Sequence, residues 1–329
     1  MNRLWRAAAT IVILFFACVL LGAAELPKPL LLVLDKPNGK LLLVDPLARK
    51  VVGQIATGVG PHELAVSADG KLAFVANYGD QTPGQSLSVI DLEGHKELRR
   101  VDLGALRRPH GMVQSKGKIY FTAEANKIVA RYDPSADRLD WIMGTGQDLT
   151  HMLVINRNQS RIFTSNILSD SIAVLKPQGP GANWHVTAIP VGKRPEAIDL
   201  SPDEKEVWTA HSADGGVSVI DTESEKVVAT IPSLTKHSNR LKFTPDGKLV
   251  LISDAEGNEV LALDAHTRKL VKRIPVGASP LGIQMAPDSR HAYVACATAG
   301  QVAIIDLTSL TQTGAIDVAP GIDGMAWVE

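Results

Sequence analysis

The sequence predicts an all-β protein, a single ring of seven four-stranded blades (a β-propeller) closed by pairing the C-terminal strand with the N-terminal blade. Three observations predict it. A strand-turn-strand unit recurs along nearly the whole chain, its copies are spaced 41 to 48 residues apart, and the chain begins and ends on complementary fragments of one unit. Four short strands in ~40–45 residues is the period of a propeller blade.

The repeat is plainest in GPHELAVSADGKLAFVANYG (60–79), RPEAIDLSPDEKEVWTAHS (194–212), SNRLKFTPDGKLVLISDAEG (238–257) and SPLGIQMAPDSRHAYVACA (279–297). Each is an apolar strand, an acidic turn, and a second apolar strand ending on small and polar residues. A third strand follows, as in SLSVID (86–91), SIAVLK (171–176), GVSVID (216–221), EVLALD (259–264) and QVAIID (301–306), and then a fourth, as in KVVATIP (226–232). Weaker copies start at Pro109 and Thr150. The residue before each first strand falls at Pro61, Pro109, Thr150, Pro195, Ser238, Pro280 and Ile322. Alternating β-branched runs between tight turns, with no helical periodicity, agree with this reading.

The ends explain each other. LLLVLDKPN (30–38), KLLLVD (40–45) and KVVGQIATG (50–58) are the second, third and fourth strands of a blade lacking its first, whereas GIDGMAWVE (321–329) is a first strand with nothing after it. Pairing them completes the seventh blade and removes an exposed sheet edge.

Composition narrows the function. The 329 residues are 45% hydrophobic and 21% charged, which excludes a disordered chain. The formal net charge of −1 lacks the cationic excess of a generic phosphate-backbone binder, so nucleic acid is disfavoured as a partner. Arg3 and Arg6 precede an apolar run from Ala7 to Leu21, and Gly22-Ala23-Ala24 stands just ahead of Glu25. That is the pattern signal peptidase reads. Residues 1–24 are expected to be a cleaved signal peptide and residues 25–329 the propeller, in a periplasmic or secreted protein. An uncleaved membrane anchor is the competing reading of the same run. Cleavage removes Cys18 and leaves Cys296 alone, so the mature chain has no internal disulfide; it is expected to be monomeric, with no membrane span.

The recurring G-x-x-P…(S/A)-x-D-G…(F/Y)-V-A-N-Y-G and (V/I)-I-D pattern resembles the YVTN-type β-propellers of secreted and periplasmic proteins, with FVANYG (74–79) and AYVACA (292–297) at the positions of the family's name motif. The resemblance covers residues 30–329. It implies the fold, but only a range of functions, since related propellers include the heavy subunit of periplasmic amine dehydrogenases, lactonases, and proteins that hold haem d1.

In a propeller the first strand of each blade lines the central channel, so function is sought at the channel mouth. The residue opening each first strand is His62, His110, His151, Glu196, Asn239, Leu281 and Asp323. Three of the nine histidines thus share one repeat position on three consecutive blades. Converging imidazoles with an open position suit zinc, copper or iron, with Glu196 and Asp323 beside them. The competing structural reading is that each histidine bonds a backbone carbonyl between blades. A second column, the residue ending each second strand, reads Asp35, Asn77, Glu124, Asn166, His211, Asp254 and Cys296. Here Glu124 is the best candidate for an anionic neighbour of the histidines, and Cys296 reads as a small buried apolar residue. Arg107, Arg108, Lys193 and Arg194, with Lys236 and His237, ring the same mouth and would complement an anionic ligand, together with His211 and Asn239.

No Gly-x-Ser-x-Gly elbow, Walker loop, His-Glu-x-x-His or Cys-x-x-Cys-His appears, so covalent haem c is excluded. Three functions stay open. The first expectation is a binding or scaffold protein holding a small ligand or a protein partner at the channel mouth. The second is a transition-metal or non-covalent tetrapyrrole (haem d1) protein, redox-active or a metallo-enzyme, with His62, His110 and His151 as ligands and Glu124, Glu196 or Asp323 behind them. The third is a lactonase-like hydrolase built around a divalent ion.

Overall fold

The computed structural model describes residues 28–179 and 183–329, so the expected leader, residues 1–24, lies outside the described residues. Seven four-stranded antiparallel sheets form a ring. Their inner strands are Pro61–Val66 (blade 1), Pro109–Ser115 (blade 2), Thr150–Ile155 (blade 3), Pro195–Leu200 (blade 4), Ser238–Phe243 (blade 5), Pro280–Met285 (blade 6) and Ile322–Val328 (blade 7). Each inner strand packs against the next around the circle. Among the described residues the helical segments are two single 3-10 turns, Glu124–Asn126 and Ile167–Ser169, and no helix is long and apolar enough to cross a membrane.

The repeated motifs have local physical causes. In the acidic turns, Asp69, Asp203 and Asp246 accept from Ser67, Ser201 and Thr244 and from the backbone N–H groups of Lys71, Lys205 and Lys248, closing each first hairpin. The aspartate that ends six of the seven third strands is placed to work the same way: Asp306 accepts from the N–H groups of Thr308 and Ser309, and Asp264 from those of His266 and Thr267. The Val/Ile/Leu runs of the second and third strands are buried on both faces because each blade lies between two others. Outer strands such as Lys96–Asp102 alternate between exposed and half-buried residues.

The apolar core is divided among the blade interfaces. Phe74 and Phe121 join blades 1 and 2, Trp208 and Phe243 join blades 4 and 5, and Leu30, Leu64 and Val75 join blades 7 and 1. The closing pair is Leu30↔Val328, Leu31↔Trp327, Leu32↔Ala326 and Val33↔Met325, as the complementary chain ends predicted.

Each of the seven inner strands carries a register shift near its start, between Pro61 and Leu64 in blade 1 and between Thr150 and Leu153 in blade 3, for example, with the shift of blade 7 recorded on its partner strand. Such a bulge re-aims the extra residue. Here it falls at the column of His62, His110 and His151.

Deleting Ile322–Val328 strips blade 7 of its inner strand and opens two interfaces at once. The expected outcome is loss of the cooperative melt with unfolding or oligomerisation, read by differential scanning calorimetry and size-exclusion chromatography; a monomer with an unchanged melting temperature would disprove closure.

Candidate functional site

The bulges bring the three histidines into one stack. The His110 ring lies 3.9 Å from that of His151 at an interplanar angle of 29°, and 4.3 Å from that of His62. Such close approach needs small residues behind the rings. A Cβ on Gly111 would sit 2.6 Å from the His151 carbonyl oxygen, and one on Gly324 would sit 2.4 Å from the His62 carbonyl oxygen, so at both places only glycine lets the neighbouring inner strand come so near. The carbonyls of this column are held across the interfaces by hydroxyl groups: Thr122 Oγ1 donates to His151 O at 2.5 Å, Ser165 Oγ to Glu196 O at 2.9 Å and Ser253 Oγ to Leu281 O at 2.7 Å. Among the described residues none of the three histidines bonds a carbonyl through its ring; His151 and His62 meet side chains of the neighbouring blades instead.

Each ring has a different environment. His151 Nδ1 bonds Glu124 Oε1 at 2.5 Å, and Tyr78 donates its hydroxyl to Glu124 Oε2 at 2.5 Å. Burial opposes protonation of His151, but the hydrogen bond and charge of Glu124, with the charge of Glu196, outweigh it and raise its pKa. His62 lies 3.4 Å from both Lys36 Nζ and Asp323 Oδ2, and its pKa falls to about 3, mainly through burial. His110 is 2% exposed, and among the described residues neither ring nitrogen has a partner. Burial and the adjacent imidazoles hold its pKa well below the ordinary value.

His110, His151 and Glu124 place one ligand atom each within 4.8 Å of one another. Two imidazoles and a carboxylate with an open position are a transition-metal donor set. With Oε1 on His151 and Oε2 on Tyr78, Glu124 instead fits the arrangement in which a carboxylate orients a ligating imidazole through its other nitrogen. Stacked rings aim their lone pairs side by side rather than at one point, so ligation turns a ring; among the described residues His110 has no hydrogen bond to break in doing so.

A layer of buried charge involves the same inner strands. Arg240 of blade 5 crosses the channel to pair with Glu63 of blade 1, reaches Met152 Sδ at 3.3 Å and lies 3.9 Å from Asp323 Oδ1. Asp323, 3% exposed, is held in its charged form by Lys36, His62 and Arg240 against the cost of burial. Glu196 accepts from Asn239 Nδ2 at 2.7 Å and lies 3.9 Å from His237, one blade beyond His151.

The remaining predicted residues scatter. Arg108 lies with its guanidinium 4.6 Å from the centre of the Tyr78 ring. Arg107 bonds the carbonyls of Gly104 and Leu106 in its own loop. Lys193 pairs with Asp170 at 2.7 Å, and the Arg194 N–H donates to the same carboxylate. His211 is 1% exposed and bonds Asp214 at 3.0 Å, which in turn accepts the N–H groups of Lys193 and Gly216. It replaces the loop-tying Asn77 and Asp254 of other blades and is apart from the histidine stack. Cys296 is fully buried, its thiol pushed up to about 11 by burial.

Register corrects the second column. Asn77, Ala123, Asn166, His211, Asp254, Cys296 and Asp35 pair with the first residues of the inner strands, so Glu124 stands one place further on. It shares that place with Lys36 and Tyr78, which is why all three reach the histidines. Lys36, Tyr78, Glu63 and Arg240 were missed by the sequence reading because each stands one place after the column that it followed, after Asp35, Asn77, His62 and Asn239 in turn.

Residues 135–317 match the family described as YNCE-like β-propeller. Protein NirF of Stutzerimonas stutzeri is 34% identical over 107 residues, 31% of this chain and 26% of that protein. The matched curated relatives are spanned over 26% to 59% of their length. In fold, the chain is similar to the periplasmic gluconolactonase PpgL of Pseudomonas aeruginosa, with a TM-score of 0.75 at 17% identity over 92% of this chain and 99% of that one. It is also similar to the dihydro-heme d1 dehydrogenase NirN in complex with DHE, with a TM-score of 0.64 at 15% identity over 89% and 64%.

Two predictions test this electrostatic arrangement. Arg240→Met leaves Glu63 buried without its partner and should cost about 3–5 kcal/mol in urea unfolding, while Glu63→Gln with Arg240→Met should recover most of it; additive losses would refute the pairing. The unfolded chain protonates His62 near 6.5 but the folded chain only near 3, so its contribution is complete above pH 6.5 and is lost as the pH falls toward 3. His151, with a raised pKa, runs the other way, so the comparison must be of single variants. His62→Gln should flatten the fall in melting temperature between pH 7 and 4.5, and an unaltered slope would contradict it.

Proposed function

The chain belongs to the YNCE-like β-propeller family, and within that fold we propose that it is an exported binding protein whose channel mouth holds a transition-metal ion, alone or within a small ligand. The observation that carries this reading is His110, buried, without a partner on either nitrogen among the described residues, and set beside His151 and Glu124. A buried polar group without a hydrogen bond costs about 1–3 kcal/mol, and a metal ion accepts the lone pair that nothing in the protein uses. Export is supported by the basic, apolar and small-residue segments of the first 24 residues.

The chain's own residues divide the work. Glu124 fixes the His151 ring through Nδ1 and leaves Nε2 for the ligand; Tyr78 holds the other oxygen of Glu124. Neutral His110 retains a free lone pair, since burial keeps protons off it, whereas His62 Nε2 faces Lys36 and Asp323. Asp323, Glu63 and Glu196 supply negative charge behind the rings, only partly offset by Arg240 and Lys36. A bound divalent ion would supply Lewis acidity at an open position. The imidazole-rich donor set favours zinc, copper or iron over an oxygen-ligated calcium or magnesium ion.

A tetrapyrrole whose iron takes one of these imidazoles is the second reading, favoured by the open pocket beside His62 and by the fold shared with NirN, which was solved with DHE. Its signature is an intense visible absorption band in protein purified from its native compartment, which a bare zinc site lacks.

The decisive variant is His110→Ala. Wild type is expected to hold about one zinc or cobalt per chain and the variant none, by metal analysis and Co(II) absorption. Its metal-free melting temperature should change little, because lost packing and two removed unpartnered nitrogens are opposing terms of about 1–3 kcal/mol each. Full metal retention by the variant would sink the reading.

A further inference from the structure

Beside the histidine stack lies an open pocket of about 790 Å³, the size range of small-molecule sites. It is walled by the turn after Asp35, by the loop that leads into blade 1, and by Tyr78. His62 forms part of its lining, so the pocket and the histidine site share a wall. Val59, 60% exposed, and Pro37 give it apolar surface, and Lys36, Arg100 and Arg108 make it cationic against one acid, Asp80.

These charges are not equivalent. Arg100 is engaged with Glu97 at 2.8 Å, and Asp80 accepts the N–H of Thr82. Lys36 points inward to Asp323 and His62. Arg108 has no ion pair among the described residues: its guanidinium lies over the Tyr78 ring and borders the pocket. Its backbone is held in the left-handed region, φ 57°, with its N–H donated to Gly84 O and its carbonyl accepting the N–H of Glu124, so its origin is fixed on both sides. A half-buried guanidinium, set over an aromatic ring and without a carboxylate of its own among the described residues, is placed to receive one from outside.

We propose that this pocket seats a small organic oxyanion, a carboxylate or phosphate on a flat apolar body, with the anionic group on Arg108 and the body lying along Val59 and Pro37 toward His62. The proposal deepens the metal reading by naming the class of ligand that would meet the metal from the side. Arg108 and Tyr78 are then ligand-contacting residues, and the pairing of Tyr78 with Glu124 links the pocket to the His151 ring.

The test is calorimetric titration of the full chain, with and without zinc, using 2-naphthoate, phenyl phosphate and the neutral 2-naphthamide. At least one anion should bind, with the amide at least tenfold weaker. Arg108→Gln should weaken the anion at least tenfold, and Arg108→Lys should recover part of that loss. Val59→Glu, a change at an exposed position, should repel the anion in a chain that folds normally, should Arg108→Gln not fold. The stronger of the two anions identifies carboxylate or phosphate as the preferred group. The proposal fails if the amide binds as well as the anions, if Arg108→Gln and Val59→Glu both bind as wild type does, or if neither anion binds at 10 mM. Zinc content of the same samples separates the two ideas: Arg108-dependent anion binding without zinc overturns the metal reading alone, whereas zinc binding with no anion binding overturns this one alone.

Discussion

The pairing of Leu30–Asp35 with Ile322–Val328 is the constraint on which the rest depends. No blade owns a core. Each cluster of buried side chains belongs to two neighbouring blades, so every blade is stabilised by both of its neighbours and an open ring leaves two of them half-covered. Burying a Leu, Phe or Trp in such an interface contributes about 1.5–3 kcal/mol, and those contributions exist only when the circle is complete. Closure also fixes the radius of the ring of inner strands. Side chains re-aimed by the bulges have nowhere to go except toward one another, which is why three imidazoles from three blades come within stacking distance.

The charged side chains at the axis are buried, and they must answer one another. Arg240 is the hub: it crosses from blade 5 to Glu63 on blade 1 and lies beside Asp323 on blade 7. Asp323 in turn draws Lys36 toward His62. The carboxylates Glu63, Glu124, Glu196 and Asp323 exceed the fixed cations Arg240 and Lys36, and the balance is partly restored by the proton that Glu124 favours on His151. His62 and His110 are left neutral by burial in the same neighbourhood. Neutral imidazoles against a surplus of carboxylate form an environment suited to an added cation.

The ring was legible in the sequence because it is written seven times. The repeated acidic turn and the third-strand aspartate each solve one backbone hydrogen-bonding problem, and the incomplete first and last units announce their own pairing. The histidine column was legible for the same reason, since three copies at one repeat position stand out. What occurs once did not. Glu63 and Arg240 face each other across the ring from strands 177 residues apart; both stand one place after the opening residue of their inner strands, but opposite charges at one repeat position repeat no residue type that would mark them as a pair. Glu124 was aligned with Asn77 because both follow an apolar strand; only the pairing of Pro109 with Ala123 shows that a 3-10 turn begins at Glu124 and carries it one place onward, next to His151. His211 shows the converse. It occupies an informative column, yet with Asp214 it ties a loop as asparagine or aspartate does elsewhere.

The division between a shared apolar framework and a polar axis explains how the chain carries a site that works against folding. His110 forgoes hydrogen bonds at both nitrogens, Asp323 Oδ1 likewise lacks one, and Asp323 and Arg240 are charged in a medium that penalises charge. Each is a cost of about 1–3 kcal/mol or more. A small single core with a total stability of ~5–15 kcal/mol would scarcely tolerate several at once. Here they sit on the axis, where the glycines at 111 and 324 let strands close in, while the stabilising contacts lie further out along each blade and do not need the axis to be satisfied. These unpartnered polar atoms are gathered where seven inner strands converge, apart from the contacts that keep the ring closed, so a group that satisfied them would not disturb those contacts.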